Sequence, residues 1–311
     1  MPVSLDNLLV IGISSRALFD LEAEEEIFRT QGLDAYRQHQ LDHEGEILKL
    51  GGGFALVRAL LKLNALTQNQ RFVEVVIMSR NSSETSMRIF NSIKHYGLDI
   101  TRAVLTGGAS LAPYLQAFNV SLFLSLHEDD VQAAINSGTA AALLYQKPAN
   151  AFEELDQIRI AFDGDAVIFS DESERIYQTQ GIEAFENHER ENALKPLPEG
   201  PFARLLKALS FIQNNFRNAG GKSPIRTALV TARSSPAHER VIRTLRAWDV
   251  AIDETFFMGG VSKSDVLAAF RPHMFFDDQI GHCDRASPLV QTGRVPLRIA
   301  AVEDPELRNS K

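Results

Sequence analysis

The chain has 311 residues, 44% of them hydrophobic and 23% charged, which is the balance of an ordinary globular protein and excludes a disordered one. A formal net charge of −8 argues against broad nucleic-acid binding, although a bound cation can still supply positive charge for a small anionic substrate. The one cysteine, Cys283, rules out an intrachain disulfide and argues against a cysteine-based zinc site; with no membrane-length apolar run and no signal-peptide pattern, the expected location is a reducing cytoplasm.

Leu8 to Ile13 is a short, continuous, β-rich run, the pattern of a strand buried in a parallel sheet. A helical insertion from Glu22 to Arg71 follows. It contains Gly51-Gly52-Gly53 just ahead of the amphipathic segment Phe54 to Leu63. No Lys-Ser/Thr pair follows these glycines, so they predict a turn and a helix start, not a phosphate loop. Val73 to Met78, Ala103 to Leu105 and Ser121 to Leu124 predict three further strands. Gln146-Lys147-Pro148-Ala149-Asn150 predicts a seam, dividing the chain into residues 1–150 and 151–311. Beyond it, Ile158 to Phe162, Thr227 to Val230, Thr255 to Phe257 and Met274 to Phe276 predict strands, and Phe202 to Phe216, Ala237 to Trp248 and Ser264 to Phe270 predict helices. Residues 171–222 are too long for a plain crossover and predict a helical cap. The alternation means an α/β fold with parallel strands covered by helices, whose ligands sit beyond the carboxyl ends of the strands.

The chain also repeats itself. Glu26-Ile27-Phe28-Arg29-Thr30-Gln31-Gly32-Leu33 returns 149 residues later as Arg175-Ile176-Tyr177-Gln178-Thr179-Gln180-Gly181-Ile182. At that offset Phe162-Asp163-Gly164-Asp165-Ala166 falls on Ile13-Ser14-Ser15-Arg16-Ala17. Val76 to Arg80 matches Leu229 to Arg233 loosely. With an offset of 152, Gly107 to Leu111 matches Gly259 to Lys263, and Phe123 to Leu126 matches Phe275 to Asp278. A scaffold copied twice, with acids in the later copy only, points to where the chemistry is.

In that later copy, Asp163 and Asp165 directly follow the strand ending at Phe162, where one carboxylate could attack phosphorus and the other could hand a proton to the leaving oxygen. Thr231 ends the next core strand, where its hydroxyl could bind a phosphoryl oxygen. Lys263 begins a helix after Gly259-Gly260 and offers an ammonium to the same charge. Asp277-Asp278 closes the strand from Met274. Carboxylates converging at one sheet edge repel one another unless a cation sits among them, and oxygen ligands favour Mg²⁺.

The order Asp-x-Asp-x-Val, Thr, Lys, Asp-Asp resembles the haloacid-dehalogenase-like phosphohydrolase superfamily. More closely, Ser14 to Phe19, Phe162 to Val167 with Phe169 to Arg175, Leu229 to Ser234 and Arg271 to Gln279 resemble the cytosolic 5′-nucleotidase class I family over nearly the whole chain. The resemblance implies two tandem Rossmann-like halves, each with a helical cap-like insertion. Residues 1–150 would be the half without catalytic acids and 151–311 the catalytic half. It implies Mg²⁺-dependent hydrolysis of nucleoside 5′-monophosphates, AMP prominent among them. Asp163 would be the nucleophile and Asp165 the general acid/base, while Thr231 and Lys263 would hold the phosphoryl group. Asp277 would ligate the metal with Asp163 and the Asp165 backbone carbonyl, with Asp278 supporting or sharing that ligation.

Ser14, Arg16, Ser79, Leu111 and Ser125 hold the matching places in the earlier half, where no metal cluster can form. That half is either a structural partner or an anion site in which Ser14-Ser15-Arg16 binds substrate phosphate or a nucleotide effector. Arg233 and its counterpart Arg80 either contact substrate or cap a helix. Phe185, Phe202 and Trp248 read as core, and His188, His238, His273 and His282 as structural or exposed. Two rival readings stand beside the nucleotidase: a phosphatase for another small phosphate ester, and a nucleotide-binding regulator with vestigial activity. Two similar halves could also build a homo-oligomer.

Overall fold

The computed structural model describes residues 5, 7–67, 70–146, 148 and 155–299. Lys147, Ala149 and Asn150 of the expected seam lie outside the described residues. The earlier stretch runs β1 (Leu9–Ile13), α1 (Ser15–Leu18), β2 (Phe19–Asp20), α2 (Glu22–Gln31), α3 (Leu33–Asp42), β3 (Lys49–Leu50) and α4 (Phe54–Lys62). It continues as β4 (Val73–Ser79), α5 (Met87–His95), β5 (Arg102–Leu105), α6 (Ala112–Ala117), β6 (Leu122–Ser125), α7 (Glu128–Asn136) and β7 (Ala141–Leu144). The later stretch runs β8 (Ile158–Phe162), α8 (Glu172–Gln180), α9 (Ile182–Glu191), α10 (Ala203–Asn218), β9 (Ile225–Thr231) and α11 (His238–Ala247). It ends with β10 (Glu254–Phe257), α12 (Ser264–Phe270), β11 (Met274–Asp277), α13 (Ile280–Ala286) and β12 (Thr292–Arg294).

Ten strands form one mostly parallel sheet in the order β10-β9-β8-β11-β12-β7-β6-β1-β4-β5, and β2 with β3 makes a separate small ribbon. Strands β1, β4, β6 and β11 are buried along their whole length, as their mostly apolar sequences require when helices cover both faces, and β4 buries Glu74 with them. Two strands of the large sheet were not legible in the sequence, β7 and β12, and neither were those of the small ribbon. Strands β7 and β12 pair with each other, and theirs is the antiparallel contact in a sheet otherwise joined by parallel pairs. The strands on either side of β7/β12 therefore point in opposite directions. The carboxyl ends of β1, β4 and β6 lie on one edge of the sheet and those of β8, β9 and β11 on the opposite edge.

Contacts recur at the repeat offsets. Ser14 N–H donates to Leu124 O at 2.9 Å, as Asp163 N–H donates to Phe276 O at 2.8 Å. Leu48 N–H donates to Ser92 Oγ at 3.0 Å, as Leu197 N–H donates to Thr244 Oγ1 at 2.9 Å. The register also corrects one expectation. Ile13 pairs with Ile77 and Phe162 with Leu229, so the strands align at 152 residues there. Ser79 thus matches Thr231, and Asn81, not Arg80, matches Arg233. Arg80 instead pairs with Asp130 on α7 at 2.5 Å.

The long insertion of the later stretch contains α8, α9 and α10, and that of the earlier stretch contains α2, α3 and α4. Helices α8 and α9 break at Gly181, with φ 82° and ψ −178°, a conformation essentially closed to residues with a side chain. Where the insertion returns to the core, Gly200 packs so tightly that a Cβ there would lie 2.2 Å from Phe169 O. Its counterpart Gly51 is pressed in the same way against Ala17 O, at 2.7 Å. The glycine run is thus a site of close backbone approach, as the turn reading required. Among the described residues, no helix is long and apolar enough to cross a membrane.

Gly200→Ala must push the insertion off the core backbone. We predict a loss of about 3 kcal/mol, read from the urea midpoint. A midpoint equal to that of the wild type would contradict the close approach.

Candidate active site

At the carboxyl edge of the later strands, the chain leaves β8 through a sharp turn. Asp165 is extended (φ −69°, ψ 141°) and Ala166 is left-handed (φ 59°), which sends Asp163 and Asp165 to different partners. The Asp163 carboxylate is buried beside Lys263 and Asp277. Lys263 Nζ lies 2.7 Å from Asp277 Oδ2 and 2.8 Å from Asp163 Oδ1. The approach to Asp163 is out of line for a hydrogen bond, so Oδ1 of Asp163 is buried without a hydrogen-bond partner. Oδ1 of Asp278 is buried and orphaned in the same way. Buried polar atoms nearly always have hydrogen-bond partners, so two such oxygens on neighbouring carboxylates ask for a ligand.

Asp163, Asp277 and Asp278 each bring one carboxylate oxygen within 4.8 Å of the other two. An oxygen-only donor set with two orphaned atoms fits a hard divalent cation. Electrostatics agree. Burial above all, with Asp277 nearby, raises the Asp163 carboxyl to about 7 despite Lys263. Burial and the charges of Asp163 and Asp277 raise Asp278 to about 8. For Asp277, burial works against ionisation, yet His282 and Lys263 hold its carboxyl below the ordinary value.

Thr231 stands at the end of β9, buried, with its hydroxyl accepting from Arg233 N–H at 3.2 Å. A Cβ on Gly164 would lie 3.2 Å from Thr231 Oγ1, so glycine keeps that hydroxyl clear, whereas Ser15 in the earlier half bonds Ser79 at 3.1 Å. Arg233 does not cap a helix. Its guanidinium grips Asp165 with both oxygens (Nη2 to Oδ1 2.6 Å, Nε to Oδ2 2.8 Å) and reaches Glu189 Oε2 at 2.5 Å. The Asp165 carboxylate is therefore turned toward Arg233 and lies outside the three-acid cluster.

The structure unites Asp163, Thr231, Lys263, Asp277 and Asp278, with Asp165 and Arg233 adjoining. It does not bring Ser14 and Arg16 to them. Strand β1 stands five strand spacings from β8, roughly 24 Å, and ends on the opposite edge. There Ser14, Arg16, Ser79, Asn81 and Ser125 line a cavity of about 630 Å³ under α2 and α3. Arg16 pairs with Glu22 at 3.0 Å and Glu25 at 3.1 Å.

The sequence reading misses the contacts of His282, which it treats as structural or exposed, and passes over Glu189 and Arg240. His282 has Nδ1 at 3.2 Å from Asp277 Oδ2; its place on the first turn after an acidic strand end was the available signal. Glu189 and Arg240 are buried and joined at 3.0 Å. In the sequence they look like surface charges of polar helices, and nothing local marks them.

Two comparisons with known proteins bear on this arrangement. Residues 1–302 match the family model described as 5′-nucleotidase. Human "Cytosolic 5′-nucleotidase 1B" is 38% identical over 296 residues, covering 93% of this chain and 48% of that protein. The chain thus spans about half the length of the curated relative it matches. No solved structure matches the chain.

The raised carboxyls set a pH dependence. In the unfolded chain both acids titrate near 4. In the metal-free fold Asp163 and Asp278 titrate near 7 and 8, so the fold binds more protons between those limits. Their contribution is fully present below pH 4 and is lost as pH rises toward 8. A divalent ion bound to the ionised cluster should therefore raise the melting temperature more at pH 8 than at pH 5. A Mg²⁺ increment that does not grow with pH would contradict this assignment.

Proposed function

The chain belongs to the 5′-nucleotidase family, and from that premise we propose that it hydrolyses nucleoside 5′-monophosphates, AMP among them, to nucleoside and phosphate with Mg²⁺ in the cytoplasm. The observation that carries this reading is the acid cluster at one sheet edge, with Lys263 between two carboxylates and two buried oxygens that accept no hydrogen bond. A regulator that merely binds nucleotide gains nothing from holding four charges there.

In this reading an Asp163 oxygen attacks phosphorus in line with the 5′-oxygen, the P–O5′ bond breaks, and a protonated Asp165 gives its proton to the departing alkoxide. Water then attacks the aspartyl-phosphate, its proton passes to Asp165, and phosphate leaves with Asp163 restored. Thr231 and Lys263 hold the phosphoryl oxygens throughout. Asp163, Asp277, Asp278 and the backbone carbonyl of Asp165 would hold Mg²⁺, which when bound neutralises phosphoryl charge that one ammonium cannot. For either proton transfer one Asp165 oxygen must leave Arg233 for the substrate while the other stays on the guanidinium, so that Arg233 still orients the carboxylate.

On the same reading the chain is built as two tandem Rossmann-like halves, residues 1–150 and 151–311, with residues 171–222 capping the catalytic edge. The earlier half has Ser14, Ser125 and Leu111 where the later has Asp163, Asp277 and Lys263, so the metal-holding acid cluster is not repeated there. Ser14 and Arg16 then serve the second cavity and not the reacting phosphoryl group. Its volume and the guanidinium at its rim support a nucleotide effector there.

The test is phosphate release from a panel of nucleoside monophosphates and sugar phosphates, with Mg²⁺ and with chelator. Asp163→Asn should fold normally and lose on the order of 10⁴-fold or more in kcat. Release from sugar phosphates alone would replace the substrate class, and wild-type-like release from Asp163→Asn would overturn the mechanism. Asp165→Asn should lose about 100-fold on AMP and less than about tenfold on an activated aryl phosphate. Equal losses on both would remove the acid role from Asp165.

A further inference from the structure

A buried ion network runs from the cap to Asp165. Glu189 sits on α9 with its side chain fully enclosed. Its Oε2 accepts from Arg233 at 2.5 Å, and its Oε1 accepts from Arg240 at 3.0 Å and from the Ser173 hydroxyl at 2.7 Å. Arg233 lies over the Phe185 ring of the same helix, 5.4 Å from its centre, and holds both oxygens of Asp165. Two guanidiniums face the carboxylates of Asp165 and Glu189, with the more exposed Glu172 4.0 Å from Arg240. A carboxylate this deep is tolerated only when its partners are fixed.

The earlier half acts as an internal control. There too the cap is pinned to the core. Arg88 Nε donates to Glu46 O at 3.0 Å, as Arg240 Nε donates to Lys195 O at 3.0 Å. The guanidinium of Arg88 also has a buried carboxylate, but that acid is Glu24 on α2, at 2.5 Å. The place of Glu24 is taken by Ser173 in the later half, and the place of Glu189 by Gln40 in the earlier one. Pinning the cap therefore needs one acid facing the core arginine, from either helix. Only the α9 position also brings an acid to Arg233. In the half that has Arg16 in place of Asp165, Arg233 is Asn81 and Glu189 is Gln40. All three members of the chain are absent together, while the anchor remains.

We propose that Glu189 is a positioning residue for the hydrolysis: it fixes Arg233, which aims the Asp165 carboxylate, so that proton transfer at the 5′-oxygen runs only when helix α9 is docked. This rests on the nucleotidase reading above. Asp165 and Arg233 lie 68 residues apart in sequence, and Glu189 supplies the only contact by which the cap helices hold that pair among the described side-chain hydrogen bonds. Docking of the cap and alignment of the acid are then one event.

The test compares kcat on AMP, whose leaving group needs a proton, with kcat on p-nitrophenyl phosphate, whose leaving group does not. Glu189→Gln should lose about 10- to 100-fold on AMP and less than about threefold on the aryl ester. The double variant Ser173→Glu with Glu189→Gln copies the pairing of the earlier half and restores the cap anchor without an acid at Arg233. It should recover the melting temperature lost by Glu189→Gln while keeping the selective loss on AMP. Equal losses on the two substrates, or recovery of AMP turnover together with stability in the double variant, would make Glu189 a structural anchor and overturn the proposal. In either case phosphate release by the wild type would leave the nucleotidase reading standing, whereas a wild type inert on both esters would remove both.

Discussion

The feature on which the functional edge depends is a buried ammonium held between two buried carboxylates. Burial opposes the charge of Lys263, yet Asp163 and Asp277 hold its pKa above the ordinary lysine value. One cation cannot balance Asp163, Asp277 and Asp278 together. The remainder shows as orphaned oxygens and raised carboxyls, the signature of a site that is incomplete until a cation joins it. Groups so poised sit where substrate phosphate would arrive, beyond the carboxyl ends of the strands.

The antiparallel pairing of β12 with β7 gives this edge its isolation. By reversing strand direction at the centre of the sheet, it puts the two sets of carboxyl ends on opposite edges. A ligand in the cavity beside Ser14 and Arg16 cannot touch a phosphoryl group at Asp163. Any influence between them must travel through the sheet or the helices packed on it. The earlier edge has serines and a leucine where the later edge has acids, and its charges close on themselves, Arg16 with Glu22 and Glu25, Arg80 with Asp130.

Much of this was legible in the sequence, for identifiable reasons. Core strands are mostly apolar runs, broken only by Glu74 in β4 and Arg159 in β8, so β1, β4, β8 and β11 stand out, and the polar residues that end them stand out with them. That is how Asp163, Thr231, Lys263, Asp277 and Asp278 could be chosen before the sheet brought them together. Strand β12 reads Thr-Gly-Arg and β7 Ala-Ala-Leu-Leu, neither with a β signal of its own; their pairing comes from the sheet around them. Without that seam the opposed edges were invisible, and Ser14 and Arg16 looked like neighbours of the substrate. The network of Glu189, Arg233 and Arg240 was hidden for another reason. Helix α9 is mostly polar, and a buried acid in such a helix is recognisable only from the arginines that tertiary packing brings to it.

The central claim is that Asp163 forms a covalent bond to phosphorus. The most direct measurement is a rapid acid quench of the Mg²⁺-loaded protein turning over ³²P-labelled AMP, followed by peptide mapping at low pH, where the acyl phosphate survives. The account predicts an early burst of label confined to the peptide containing Asp163, chased into inorganic phosphate by unlabelled substrate. Turnover with no labelled aspartate, or label on a residue other than Asp163, would contradict it.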